Sequence, residues 1–335
     1  MGIDLPLIWA IIIAFGLMMY VVMDGFDLGI GILFPFVRGS DDRDCMVNTV
    51  APVWDGNETW LVLGGAGLLA AFPLAYSFLL SALYLPLILM LAGLIWRGVA
   101  FEFRFKAHED HKWFWDQAFT WGSYIAAFFQ GVALGAVING FKVEGPSYAG
   151  GAFDWVTPFS LFTGLGLLVA YALLGSTWLI MKTEGALQRR MIQLARPITL
   201  ALLAVIGIVS IWTPLTHADV AARWFTLPNL IFFAPVPILV LAAARGILHF
   251  LKREAHAAPF ILALALIFLG YSGLGISLWP NIIPPDVTIR AAAGPPQSLG
   301  FTLVGALFII PIILTYTAWS YYVFRGKVRV GEGYH

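Results

Sequence analysis

The stretch "APVWDGNETWLVLGGAGLLAAFP", residues 51–73, is apolar enough to cross a bilayer, yet it carries Asp55 and Glu58 close to its start. Its neighbour "MDGFDLGIGILFPF", residues 23–36, repeats the pattern with Asp24 and Asp27. Each pair is spaced i, i+3, which puts both carboxylates on one helix face about 5 to 6 Å apart. Both faces are therefore expected to point into protein, because charge at the bilayer centre costs about 2.5 to 3.5 kcal/mol per residue and usually lines a wet cavity or a proton path. The first helix runs inward and the second outward, so all four acids are expected towards the cytoplasmic half of the membrane. Glycines 25, 29 and 31 on one helix and 56, 64, 65 and 67 on the other are expected to let those two backbones approach closely.

The rest of the 335 residues supports a membrane reading. Hydrophobic residues make up 60% and charged residues only 11%, far below the roughly 25% of soluble domains. A hydrocarbon core of about 30 Å needs about 20 apolar residues per helix, and a spanning backbone must satisfy its own hydrogen bonds. Nine segments qualify: 6–36, 52–73, 76–101, 117–140, 158–182, 197–216, 228–250, 258–279 and 299–325. The fold class is thus an all-α integral membrane protein with nine transmembrane helices, as two four-helix bundles (1–140 and 158–279) plus a peripheral ninth helix (299–325). Residues 326–335 form a short tail, and 1–335 is one membrane domain. The start, "MGIDLPLIWAIIIAFGLMMYVV", has no basic leader and too long an apolar run for a signal peptide, so no cleavage is expected.

With the N-terminus outside, all of the 19 lysines and arginines except Lys142, Arg223 and Arg290 fall at inner loops and helix ends. The positive-inside rule then supports nine spans, an outer N-terminus and a cytoplasmic C-terminus. Zero net charge gives no field to recruit nucleic acid. The single cysteine, Cys45, excludes a disulfide framework or a cysteine-held metal within the chain. Histidines 108, 111, 256 and 335 lie in loops or the tail, and 217 and 249 near helix ends. Haem, copper or di-iron ligands would sit inside the spans, so no metal is expected here.

The acids Asp24, Asp27, Asp55 and Glu58 are candidates for a proton-uptake route from the cytoplasm. The plainer alternative is that Asn57, Trp54 and Trp60 satisfy them as structural bonds. Arg97, at the inner end of the third span, is either an interfacial anchor or their partner. A proton-coupled secondary transporter also buries carboxylates near the midplane, but here the acids occupy adjacent helices and no matching broken helices occur in the second half. A third reading is a purely structural membrane subunit.

Four stretches, "MDGFDLGIGILFPF", "NTVAPVWDGNETWLVLGGAGLLAAFP", "IWRGVAFEFR" and "PIILTYTAWSYYVFRGKV", together resemble, in this order and across essentially the whole chain, subunit II of the cytochrome bd-type quinol oxidases. The compact sequence is compatible with the branch called cyanide-insensitive oxidases. The resemblance implies a haem-free subunit of an oxygen-reducing respiratory enzyme in the bacterial cytoplasmic (inner) membrane. Its partner, subunit I, carries two b-type haems, haem d or a b-type variant, and the quinol site. A small accessory subunit and a structural quinone are further components that the family leaves open. Quinol and dioxygen are the substrates of the complex, and protons consumed in making water come from the cytoplasm. In this chain the family's buried acids match Asp27 and Asp55 with Asp24 beside them, while Trp60 and Arg97 match residues near an apolar oxygen route.

Overall fold

The computed structural model describes residues 3–145, 147–329 and 331. His335 and half of the expected tail (330 and 332–335) lie outside the described residues. The helices are α1 (Leu5–Leu33), followed by a 3₁₀ turn (Phe34–Phe36), α2 (Ser40–Asn48), α3 (Trp54–Ala71), α4 (Pro73–Arg104), α5 (Glu109–Asn139) and α6 (Pro158–Lys182). The second half supplies α7 (Gly185–Thr216), α8 (Ala218–Phe225), α9 (Asn229–Phe233), α10 (Pro235–Lys252), α11 (Ala258–Leu278), α12 (Ile289–Ala292) and α13 (Pro296–Val323). Among the described residues eight helices are long and apolar enough to cross a membrane. The remaining expected span, 52–73, is α3. Its 18 residues rise about 27 Å, and the carboxylates in its first turns shorten its apolar stretch.

Local chemistry explains the helix limits that sequence placed differently. Pro73, the last residue of the expected span 52–73, is instead the first residue of α4, and Phe72 alone makes the turn from α3. Proline suits a first helical position because its missing N–H has no partner there anyway. The sixth expected span began at Pro197, whereas α7 begins at Gly185 and runs through that proline. Its first turns, with Arg189, Arg190 and Arg196, are polar and extend the helix beyond the apolar run. The seventh span is split at Ala234 into α9 and α10, where Pro235 starts a new helix.

Helices α1 and α6 form the centre. Helix α1 packs on α3, α5 and α6, and α6 packs on α5, α7 and α11. At the α1–α6 crossing Gly29 and Gly175 meet backbone to backbone. This corrects the expectation that the glycines of the first span serve the α1–α3 contact: Gly25 and Gly29 face Tyr171 and Gly175 of α6, and Gly31 faces Ser123 of α5. The α1–α3 contact instead uses Gly16 against Leu63, Gly64 against Leu17 and Gly67 against Ile13, while Gly56 and Gly65 meet open space. Helix α13 lies at the edge, with Leu299 its only buried residue.

Two short hairpins, β1 (Val143–Glu144) with β2 (Ser147–Tyr148) and β3 (Asn281–Ile283) with β4 (Val287–Thr288), lie in the connections at the Asp4 end. The proline-rich connection 279–295, between α11 and α13, is pinned there. The Gly294 N–H donates to the Ala71 carbonyl at 2.8 Å, and Arg290 pairs with Asp4 at 2.6 Å. The hydrogen bond from Arg290 holds the Asp4 carboxyl below the usual carboxylate range. At the opposite end Asp116 of α5 bridges Arg43 of α2 (2.7 Å) and Arg104 of α4 (2.6 Å), and Arg104 also reaches Asp44 at 2.5 Å. Arg104 is fully buried, and both arginines lie over the Phe34 ring. The network locks three helices together where the chain is most basic.

Candidate functional site

A buried charged cluster forms where α1, α3 and α4 meet. Asp24 and Asp27 lie one turn apart on α1 and are 0% and 1% exposed. Arg97 of α4, also 0% exposed, donates through Nη2 to Asp24 Oδ1 at 2.7 Å and to Glu58 Oε2 at 3.1 Å. Its guanidinium sits 5.7 Å from the Trp54 ring centroid. Arg97 is thus a partner of the carboxylates and not an interfacial anchor. A long flexible cation so deep in apolar packing is sustained only because anions meet it there.

Asp27 has a different environment. Its Oδ2 accepts from Asn57 Nδ2 of α3 at 2.8 Å, and among the described residues no cation pairs with it. Asn57 is itself held by Tyr321 of α13, whose hydroxyl donates to Asn57 Oδ1 at 2.8 Å. Of the residues weighed as structural partners of the acids, Asn57 does bond Asp27. Trp54 instead covers Arg97, and the buried Trp60 Nε1 meets no acceptor.

The second pair behaves unlike the first. Glu58 has a side chain 29% exposed, and Asp55 is exposed. The i, i+3 face of α3 therefore does not point wholly into this chain, as expected from sequence, but straddles its edge. Helix α3 packs one side on α1, through Asn57, Trp60, Gly64 and Gly67, and leaves Asp55, Thr59 and Val62 on the other. The cluster consequently opens at the surface through Glu58 and closes inward through Arg97 and Asp24 to Asp27. Asp24 Oδ2, Asp27 Oδ1 and Arg97 Nε and Nη1 are buried polar atoms without a protein hydrogen-bond partner, where the great majority of such atoms have one.

Residues that the sequence did not single out complete the surroundings. Tyr171 of α6 donates to Gln130 Oε1 at 2.8 Å, and Gln130 Nε2 of α5 donates to the Tyr20 hydroxyl at 2.5 Å. This rail ends beside Asp24, whose charge acts on Tyr20. Gln130 had a legible signal, as the one amide within the apolar run "IAAFFQGVALG". Tyr321 had none, because tyrosine is common where helices leave the membrane. Trp60 is 1% exposed and packs edge-on against Phe15 at 5.9 Å.

Among the described residues no group of three or more His, Cys, Asp and Glu could hold a metal ion. His108 precedes α5, His111 lies in its first turn and not in a loop, His217 joins α7 to α8, His249 is in the last turn of α10, and His256 bonds Gln188 in a connection. None of these imidazoles stands inside the helix bundle, so these residues do not fit axial ligation of a haem.

Comparisons with known proteins agree on one assignment. The family described as cytochrome bd terminal oxidase subunit II matches residues 5–324. Cytochrome bd-I ubiquinol oxidase subunit 2 of Escherichia coli (strain K12) is 31% identical, over 97% of this chain and 95% of that protein. Cytochrome bd ubiquinol oxidase subunit 2 of Bacillus subtilis (strain 168) is 29% identical, over 97% of each. A chain in the structure of bd oxidase from Geobacillus thermodenitrificans has the same fold, with a TM-score of 0.76 at 17% identity, covering 94% of this chain and 98% of that one. With a family match over nearly its whole length and full-length relatives, this chain belongs to the cytochrome bd terminal oxidase subunit II family.

Proposed function

We propose that this chain is the haem-free second subunit of a bd-type quinol oxidase in a bacterial cytoplasmic membrane, and that Asp27 and its neighbours carry protons towards the oxygen-reducing partner subunit. The supporting observation is the buried cluster that opens at Glu58 and ends at Asp27. Reduction of dioxygen to water consumes protons and electrons together. Two quinols supply the electrons and release their own protons where they are oxidised, so the protons consumed need a separate way in. The partner's haems supply the electron transfer and oxygen chemistry, and the residues of this chain move and hold protons.

The geometry divides the labour. Asp24 and Arg97 neutralise each other and act as a fixed pair, since removing either charge leaves the other stranded. Among the described residues Asp27 is bonded only by a neutral amide, so its carboxyl changes protonation without breaking an ion pair. Asp55 and Glu58, at the start of α3, collect protons at the cytoplasmic side, the side the basic residues select. The partner packs on the face of α3 and α4 that exposes Val62, Ile88, Ile95 and Trp96, because the cluster opens there. Trp60, in the apolar part of the same helix pair, and Arg97 border the route for oxygen.

In the purified complex Asp27→Asn should lower quinol-dependent oxygen uptake by at least about tenfold, the scale of a lost proton-transfer group, at unchanged haem content. Asp55→Asn should cause a smaller loss, since Glu58 stands beside it. Full oxygen uptake from both fully assembled variants would leave a structural subunit as the better reading. Purification without a haem-bearing partner, with substrate flux in liposomes, would favour a transporter.

A further inference from the structure

Helix α13 is the least buried of the long helices, yet one of its side chains reaches the centre of the cluster. Tyr321 crosses to Asn57 of α3, and its ring is held edge-on to Trp178 at 6.1 Å and 78°. Trp178 in turn stacks on Phe26 at 4.3 Å, between the two aspartates of α1 in sequence. The end of α13 is clasped just beyond Tyr321. Lys182 Nζ of α6 donates to the carbonyls of Phe324 at 2.5 Å and Gly326 at 3.2 Å, and the Val328 N–H donates to the Lys182 carbonyl at 2.8 Å. A lysine at a helix C-terminus satisfies carbonyls that the helix cannot. The clasp and the ring contacts together fix where the Tyr321 hydroxyl points.

A carboxamide has a donating and an accepting end, and which end faces a carboxylate decides whether it attracts or repels. Asn57 Nδ2 faces Asp27 Oδ2 at 2.8 Å and the Met23 carbonyl at 3.5 Å, both acceptors. Its Oδ1 receives one donor, Tyr321. The bonds therefore run in one direction, from Tyr321 O–H to Asn57 to Asp27. We propose that Tyr321 is a positioning residue for proton transfer: its hydroxyl pins the Asn57 amide with the donor towards Asp27, so that Asp27 releases its proton into a site already arranged to receive the carboxylate. The inference rests on the reading of Asp27 as a proton carrier. Without the hydroxyl, Asn57 Oδ1 is buried without a donor, and the amide no longer holds one orientation as Asp27 changes state.

The test uses the intact oxidase carrying Tyr321→Phe, which keeps the ring contact with Trp178. A short-chain quinol serves as substrate. The variant should assemble with full haem content and an unchanged KM for quinol, with kcat lower by roughly three- to tenfold, the range for one lost hydrogen bond. The solvent deuterium isotope effect on kcat should rise, which a merely structural role does not produce. Thr315→Val controls for general damage to α13, because that hydroxyl bonds only the Pro311 carbonyl of its own helix; its kcat and isotope effect should match the unaltered enzyme. Unchanged kcat and isotope effect in Tyr321→Phe, or failure of that variant to assemble while Thr315→Val assembles, overturns the proposal. If Asp27→Asn is slow while Tyr321→Phe is normal, only the role of Tyr321 falls; if Asp27→Asn is itself normal, the proton reading falls with it.

Discussion

Replacing Arg97 with methionine is expected to remove most of the assembled oxidase from the membrane. Asp24 would remain fully buried on α1 with no cation, because Arg97 is the one cation paired with it among the described residues. Breaking one side of a buried ion pair costs about 3 to 5 kcal/mol, a large share of the roughly 5 to 15 kcal/mol that holds a typical domain folded. The double variant Arg97→Met with Asp24→Asn removes both charges and should recover much of the lost protein. Haem absorbance per membrane protein measures this directly. A single variant as abundant as the unaltered chain, or a double variant as depleted as the single, would contradict the pairing argument. Glu58 is less exacting, since its partly exposed carboxylate can turn to solvent or to the partner chain when Arg97 is lost.

The second large effect concerns the crossing of α1 and α6. A methyl group on Gly29 would land on the carbonyl oxygen of Tyr171 and 2.9 Å from the amide nitrogen of Gly175. Both are backbone atoms, so no rotamer change relieves the overlap. Inserting a methyl into a packed core already costs about 1 to 3 kcal/mol where side chains can yield, and here the helices themselves must separate. Gly29→Ala should therefore fail to accumulate and should free Asp24 and Asp27 from their surroundings. Gly207→Ala in α7, where nothing lies within 4 Å, should leave the amount of complex unchanged and strengthen the helix slightly. Equal accumulation of the two variants would mean that α1 and α6 do not meet at Gly29.

Much of this architecture is legible from composition and spacing, because a bilayer leaves few options for an apolar chain. The spans, the acid pair on α1 and the peripheral place of α13 all follow from how much hydrocarbon and charge each segment carries. Helix α3 was harder to read. Spacing puts Asp55 and Glu58 on one face, but whether that face points inward depends on which neighbour covers it, and α1 covers only the side holding Asn57 and Trp60. The glycines of α1 show the same limit: small residues announce a close contact without naming the partner, which is α6 rather than α3. Arg97 could equally have been an interfacial anchor, since an arginine near a helix end fits both roles until its depth is known. Tyr321 was beyond reach for a related reason, as its contact with Asn57 joins the two ends of the chain.

If Asp27 conveys the protons used in oxygen reduction, proton uptake itself reports it most directly. Fully reduced oxidase can be mixed with oxygen in weakly buffered solution containing a pH-sensitive dye, and uptake followed within a single turnover. Asp27→Asn, with its full haem content, should take up protons at least about tenfold more slowly than the unaltered enzyme. Uptake at the unaltered rate would remove Asp27 from the proton path.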